Sequence, residues 1–344
     1  MRELKEDRPQ ITIQVQPKRR IVEPLTTKQK PAPAQADERK EASSKNTELA
    51  NQEHGTAEEA ANKQTEVMAA NKKLSVANAK LNPHPDKNLV EENNQGPLPK
   101  IDATGRQAWR VYASPFNMGD TRPRIALVVI HLGLSPQMTR RAITGLPASV
   151  TLGFAPYAQS LGDWITQARN EGHEVLLGLP MEPHDYPSND PGPNGLMLAN
   201  SLEENTKRLN WVLSRATGYV GVYNFMGSRF ANEKLALLPI VQQLKDRGLM
   251  VLDSRVSPSS FLGAAARQVG IPYTVVDISA DSEPNRGAID RKLREVTKLA
   301  INKKSTVVIV RPYPITMLRL KTWLNRLDPN RIVLAPLSAV ATIN

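Results

Sequence analysis

Glu174-Val-Leu-Leu-Gly-Leu-Pro-Met-Glu-Pro183 decides the fold: an apolar run suited to a strand buried on both faces ends in Pro, Met, Glu and Pro instead of a plain turn. After it comes a loop from Pro180 to Asn194, rich in Pro, Asn, Asp and Gly and far longer than a structural connection needs. Upstream, Ile125–Ile130 and Ser149–Phe154 read as strands and Leu161–Glu171 as a helix; Ser135–Gly145 is a helix with Ser135 as N-cap and Pro136 in its first position. Downstream, Ser201–Ala216 opens with a capping box, Ser201 three residues before Glu204. Val220–Tyr223, Leu249–Leu252, Tyr273–Val276, Thr306–Val310 and Ile332–Leu334 read as further strands, with helices from about Glu233, Ser260, Ile289 and Thr316. This alternation predicts an α/β fold with a parallel sheet closed or nearly closed into a barrel, a doubly wound open sheet being the alternative.

The apolar blocks begin near Arg124. From residue 1 to 122 the chain is rich in Lys, Glu, Gln, Asn, Ala and Pro without a sustained period of 2 or 3.6, which predicts a disordered, low-complexity arm or tether ahead of a domain spanning 123–344. Ile11–Val15 alternates like a strand and Glu41–Leu81 has the composition of transient helix, but neither offers a wide apolar face.

The net charge of +11 lies mostly in the domain. A basic surface suits nucleic acid, anionic lipid or an acidic polymer; here Lys and Arg are dispersed along helices and no Lys/Arg run is interleaved with aromatic residues, so nucleic acid is not expected as a partner. The absence of cysteine excludes disulfides and thiolate chemistry. Met1–Pro9 is charged and no 18-residue apolar run occurs, so neither a signal peptide nor a membrane span is predicted and a cytoplasmic location follows at face value. A Pro/Lys/Glu/Gln-rich arm is also the composition of a tether behind a membrane anchor.

In parallel α/β folds the ligand site lies at the carboxyl ends of the strands. Those ends are His131-Leu-Gly133, Pro180-Met-Glu-Pro183, Asn224-Phe-Met-Gly-Ser-Arg229, Asp253-Ser-Arg255, Asp277 and Arg311-Pro-Tyr-Pro314, which are therefore expected to share one pocket.

In this order the segments resemble the divergent polysaccharide deacetylase family, a branch of the carbohydrate esterases that remove N-acetyl groups from glycans. The resemblance runs from about Arg124 to Val340 and rests on Gly172-His-Glu-Val175, Leu179-Pro-Met-Glu-Pro183, Asp190-Pro-Gly-Pro193, Met226-Gly-Ser-Arg-Phe230 and Leu252-Asp-Ser-Arg255. It implies an irregular (β/α) barrel, a role in cell-envelope glycan metabolism and a periplasmic or envelope location. It also implies a divalent metal held by one Asp and two His, with a second Asp as base for the attacking water.

Here the pattern departs. The family's Asp-Asp-Leu-Gly is Ile130-His131-Leu132-Gly133, its strand histidine is Gly178, its Asn-Asn-His-Met-Gly-Ser is Tyr223-Asn-Phe-Met-Gly-Ser228 with Phe225 in the histidine's place, and its late Gly-His-Pro is Val310-Arg311-Pro312. Glycine and phenylalanine offer no ligand atom and isoleucine takes no proton, so only His131 remains able to coordinate at these positions. The expectation is a degenerate deacetylase that binds a glycan or an envelope protein partner with no catalytic residues assigned and no cofactor. One alternative is an active glycan N-deacetylase whose zinc site is rebuilt around His131 with Glu182, His184 or Asp185, and the other is an inert envelope scaffold. Pocket candidates are His131, Glu182, Asp190, Asn224, Ser228, Arg229, Asp253, Arg255 and Arg311. Arg229 and Arg255 are read as partners of Asp253 or Asp277 on equal terms with ligand contact, and Arg311 as an anion site or an ion pair.

Overall fold

A computed structural model describes residues 80–343, and its main sheet follows the alternation of the sequence. Nine strands form it: β3 (Arg124–Leu132), β4 (Thr151–Phe154), β5 (Val175–Met181), β6 (Gly221–Met226), β7 (Met250–Asp253), β8 (Tyr273–Val275), β9 (Ile278–Ser279), β10 (Ser305–Val310) and β11 (Val333–Leu334). Their pairings are all parallel, in the spatial order β8-β7-β6-β5-β4-β3-β10-β9, with β11 beside the first two residues of β3. β8 and β9 close the two ends of that order, yet only Val276 and Asp277 separate them in the chain. Three Cα steps reach about 11 Å at most, roughly two strand spacings. The edges must therefore face each other, and the sheet is curled into an irregular barrel with a short unbonded seam.

Helices α2 (Pro136–Gly145), α3 (Leu161–Asn170), α4 (Leu202–Leu213), α5 (Lys234–Asp246), α6 (Leu262–Val269), α7 (Arg286–Lys303) and α8 (Pro314–Leu324) make the connections. Local signals set their starts: Ser135 Oγ accepts from Met138 N, Ser201 Oγ from Glu204 N, and Asn285 Oδ1 from Ala288 N at the head of α7. Strands β4 and β5 are buried along their whole length, as apolar runs without alternation require.

The predicted arm needs correcting in its last part. Residues 80–122 are folded, with an antiparallel pair β1 (Val90–Asn93) and β2 (Gly96–Pro99) and a short helix α1 (Ala108–Val111). Leu89, Leu98, Trp109 and Tyr112 join the same apolar core as the barrel strands. No period betrays this segment because its few large side chains are spaced irregularly, and the barrel supplies the partners that its own backbone lacks. Arg247 Nη1 donates to Pro99 O at 3.0 Å and Glu91 Oε1 at 2.9 Å, and Trp109 N donates to Gly248 O at 3.0 Å. The buried Arg169 donates to Tyr112 O, Gly218 O and Asn82 O at 2.9, 2.9 and 2.8 Å. The rest of the predicted arm, with the Ile11–Val15 strand and nearly all of the Glu41–Leu81 helix, lies outside the described residues.

The floor is fastened by Glu174 at the start of β5. Its buried carboxylate accepts from Ser338 N at 3.0 Å, Ser114 N at 3.3 Å and Thr151 Oγ1 at 3.4 Å, and from Ser338 Oγ. Burial outweighs these donors and raises its pKa.

Candidate functional site

The opposite end of the barrel carries the altered motifs. β3 departs from regular pairing with β4 between Val129 and Leu132, and within that bulge His131 adopts φ 65°. Met226 at the end of β6 (φ 58°) and Arg255 after β7 (φ 50°) are also left-handed. Such backbone is costly for residues other than glycine, about 1 kcal/mol or more each, and it gathers here at the strand ends.

Tyr223 organises what lies beneath. Its side chain is fully buried, and its Oη accepts the bulged His131 N–H at 3.1 Å, which regular pairing would otherwise have satisfied. The ring crosses small residues of the adjacent β5 and of β4 beyond it. A Cβ on Gly153 would come within 2.8 Å of Tyr223 Cε1, and one on Gly178 within 3.0 Å of Tyr223 Oη and 3.2 Å of Phe154 O. The room a side chain at position 178 would need is thus taken. Phe225, also buried, sets its ring 4.5 Å from that of His131 at an interplanar angle of 53°.

Arg311 is near enough to act on His131 through its charge. Burial, first, and the Arg311 guanidinium, second, push the His131 pKa down to about 4. His131 is therefore a neutral imidazole at neutral pH, packed against an aromatic ring and under the influence of a nearby cation. The unfolded chain takes up its proton near pH 6.5 and the fold resists it down to about 4, so this site's stability is complete above pH 6.5 and lost as pH falls through that window. His131→Asn should flatten the acid-side decline between pH 6.5 and 4 by up to about 3 kcal/mol in denaturation series at several pH values. An unchanged slope would sink the assignment. His84 and His173, also lowered by burial, leave a residual slope.

Arg311 is itself an ion-pair partner: its Nη1 lies 3.5 Å from Asp281 Oδ1 and its N–H donates to Asp281 Oδ2 at 2.7 Å, an oxygen that also accepts from Thr316 Oγ1 at 3.1 Å. Asp281 Oδ1 is buried with no hydrogen bond, and burial raises the pKa of the carboxyl. Asp281 replaces Asp277, which the sequence assigned to this end. The strand read as Tyr273–Val276 stops at Val275 and a new one starts at Ile278, so Asp277 stands at the head of β9, bonded to Lys303 Nζ, Thr306 Oγ1 and Val307 N at the floor.

All but one of the remaining candidates form two further groups. Glu182 is buried and its carboxylate accepts from Arg229 Nη1 at 2.7 Å and Leu198 N at 2.6 Å, while its carbonyl accepts from Arg229 N and Phe230 N. The partner of Arg229 is thus Glu182, not Asp253 or Asp277. Ser228 Oγ accepts from His184 N, and the His184 ring meets Asn232 Nδ2 at 3.3 Å. Asn224 Oδ1 takes Ser254 N at 2.7 Å, and Asp253 caps the start of α6 through Ser260 Oγ and Gly263 N. The Arg255 backbone N–H donates to Asp253 Oδ1; no ion pair of its guanidinium with a described residue is found, so of its two readings the pairing with Asp253 or Asp277 is not made. Asp190, exposed, closes its own turn on Gly192 N, as a rigid Asp-Pro-Gly-Pro turn should. His173 is a buried turn residue, its ring nitrogens 2.8 and 2.9 Å from Val150 O and Ile143 O.

A metal of the kind the family resemblance implies does not fit these donors. Gly178 and Phe225 supply none, Tyr223 fills the space behind the first, and Glu182, the strongest candidate for a substitute, is taken by Arg229. Among the described residues no three His, Asp or Glu side chains converge. Beside this arrangement the loop folds back, with Leu196 N donating to Pro180 O and Asn194 N to Tyr157 Oη. A cleft of about 420 Å³ opens there between Gly133, Leu134, Tyr157, Gln159 and Trp164.

Comparison with known proteins agrees with the barrel fold. Residues 127–341 match the model of the family described as divergent polysaccharide deacetylase. The crystal structure of an uncharacterized protein from Agrobacterium tumefaciens C58 is 34% identical, with a TM-score of 0.69 over 71% of this chain and 99% of that one. The uncharacterized protein YibQ of Escherichia coli K12 is 26% identical over 207 residues, 60% of this chain and 64% of that protein. A protein of Haemophilus influenzae is 25% identical over 189 residues, 54% of this chain and 66% of its own. The match thus spans just under two thirds of the length of these curated relatives. With the family match covering more than half of the sequence and the barrel folded as the resemblance implies, the chain belongs to the divergent polysaccharide deacetylase family.

Proposed function

We propose that this protein serves cell-envelope glycan metabolism by binding an envelope glycan at the barrel mouth, and that the metal-dependent hydrolysis of its fold has been lost. One observation carries the reading: the buried Tyr223 ring lies across Gly153 and Gly178, where a ligand side chain would have to stand. Phe225 against His131 supports it, because an aromatic ring in the second ligand position offers neither a lone pair nor a charge. The cleft at Tyr157 and Trp164, next to a long folded loop, suits a saccharide, with aromatic walls for the apolar faces of sugar rings and polar loop groups for their hydroxyls. An envelope location follows from the same family resemblance.

Metal content decides the chemistry. The full chain, loaded with zinc and dialysed, should retain far less than one metal per chain by mass spectrometry, while calorimetry with N-acetylated envelope oligosaccharides should show binding. One tightly held zinc, lost in His131→Ala, would establish a rebuilt hydrolase site instead. Neither metal nor saccharide binding would leave the scaffold role.

A further inference from the structure

The basic charge of the described region is gathered on one pair of helices. Between Arg286 and Arg331, a stretch that holds α7 and α8, stand twelve Lys or Arg and three Asp or Glu; the rest of residues 80–343 carries nineteen of each. The whole excess therefore sits on these helices and the segments beside them. What the sequence displays as cations dispersed along helices, the fold collects.

These helices pack side by side and leave between them a groove of about 390 Å³. Leu293, Trp323 and Leu327 give it an apolar floor, and Arg294, Lys298 and Arg326 stand along its rims. Arg319 is held by Asp290 at 2.7 Å. For Arg294, Lys298 and Arg326 there is no ion pair with a described residue, so three like charges border one cavity without compensation. On α8, Leu318, 59% exposed, lies one turn before the groove residue Thr322, and Arg326 follows in the turn just past the helix end. On α7, Ile301 is 37% exposed and follows Lys298 by one turn.

We propose that this face docks the protein on an anionic phospholipid bilayer, with a headgroup phosphate between Arg294, Lys298 and Arg326 and with Leu318 and Ile301 entering the interface. Charge complementarity selects an anion. The apolar residues select a bilayer: exposed aliphatic side chains beside Lys and Arg gain by entering an acyl boundary and gain nothing against a soluble polyanion. A nucleic acid would call for exposed rings to stack on or base-edge readers along the groove, and Trp323 is only 9% exposed with its Nε1 donating to Thr297 Oγ1. None of the groove residues is a strand-end residue of the barrel mouth, so this inference does not rest on the glycan reading.

The test is co-sedimentation of the full chain with vesicles of phosphatidylglycerol, vesicles of phosphatidylcholine, and duplex DNA in competition. The chain should sediment with phosphatidylglycerol and not with phosphatidylcholine. At about tenfold or less per cation, Arg294→Gln/Lys298→Gln/Arg326→Gln together should weaken that binding by roughly 100-fold, with unchanged thermal unfolding as the folding control. Leu318→Ser, which alters no charge, should weaken it several-fold. Equal sedimentation of wild type and triple variant would overturn the proposal. So would DNA binding that matches vesicle binding and ignores Leu318→Ser, which would assign the face to a soluble polyanion.

Discussion

Gly178→His, which puts back the side chain found there in the active family pattern, is expected to destabilise the barrel by about 3 kcal/mol or more and to confer no zinc binding. The reason is volume. A Cβ alone would stand 3.0 Å from Tyr223 Oη, 3.1 Å from Cζ and 3.2 Å from the backbone oxygen of Phe154, and an imidazole beyond it would need the space of the ring itself. Tyr223 has nowhere to retreat, since it also presses on Gly153 and holds His131 N. Moving it would orphan the amide of the bulge. The double variant Gly178→His/Tyr223→Ala should therefore cost less than the sum of its single changes, in a double-mutant cycle of chemical denaturation. Additive costs, or a zinc-binding Gly178→His variant, would show that the tyrosine does not occupy the site.

Arg169→Ala carries the second large expected effect, a loss of about 3 to 5 kcal/mol. Arg169 is 4% exposed, and its guanidinium satisfies three main-chain oxygens, Asn82 and Tyr112 in the N-terminal extension and Gly218 before β6, while lying 5.1 Å above the Tyr112 ring. Burial pulls its pKa down to about 10, still far enough above neutrality for the cation to persist. Truncation leaves those carbonyls dry and unpaired at once. Denaturation should show the loss, and limited proteolysis should show new cleavage within residues 80–122, because these bonds join that segment to the barrel. A stability change under 1 kcal/mol would mean that water replaces the guanidinium and that the extension is held by its apolar contacts alone.

How far the sequence could be read follows from which forces speak locally. The strands of the barrel were legible because parallel strands buried on both faces are continuous apolar runs, as Ile125–Ile130 and Val175–Leu179 are; Ser135 and Ser201 announced their helices by capping. The segment 80–122 was not legible: Leu89, Leu98, Trp109 and Tyr112 have no period, and their partners, Arg169 and Arg247, lie far along the chain. At the mouth, the altered motif positions were visible, and the two glycines facing one tyrosine were a signal, Gly153 and Gly178 each on a strand otherwise built of large residues. The identity of the carboxylate was missed because the break between β8 and β9 spans only Val276 and Asp277, too short for any turn signature, and it moved the role from Asp277 to Asp281. Pairings such as Glu182 with Arg229 depend on loop closure, which neither propensity nor spacing encodes.

The seam between β8 and β9 has a consequence for behaviour at high concentration. A curled sheet that stops short of closure keeps two strand borders whose amides and carbonyls could recruit a second molecule. β9 offers only two residues, and on β8 the C-terminal tail lies antiparallel, with Tyr273 N donating to Thr342 O at 3.1 Å and Thr342 N to Tyr273 O at 2.8 Å. The tail thus acts as a guard rail against chain-to-chain pairing, and its detachment would turn a monomer surface into a template for self-association.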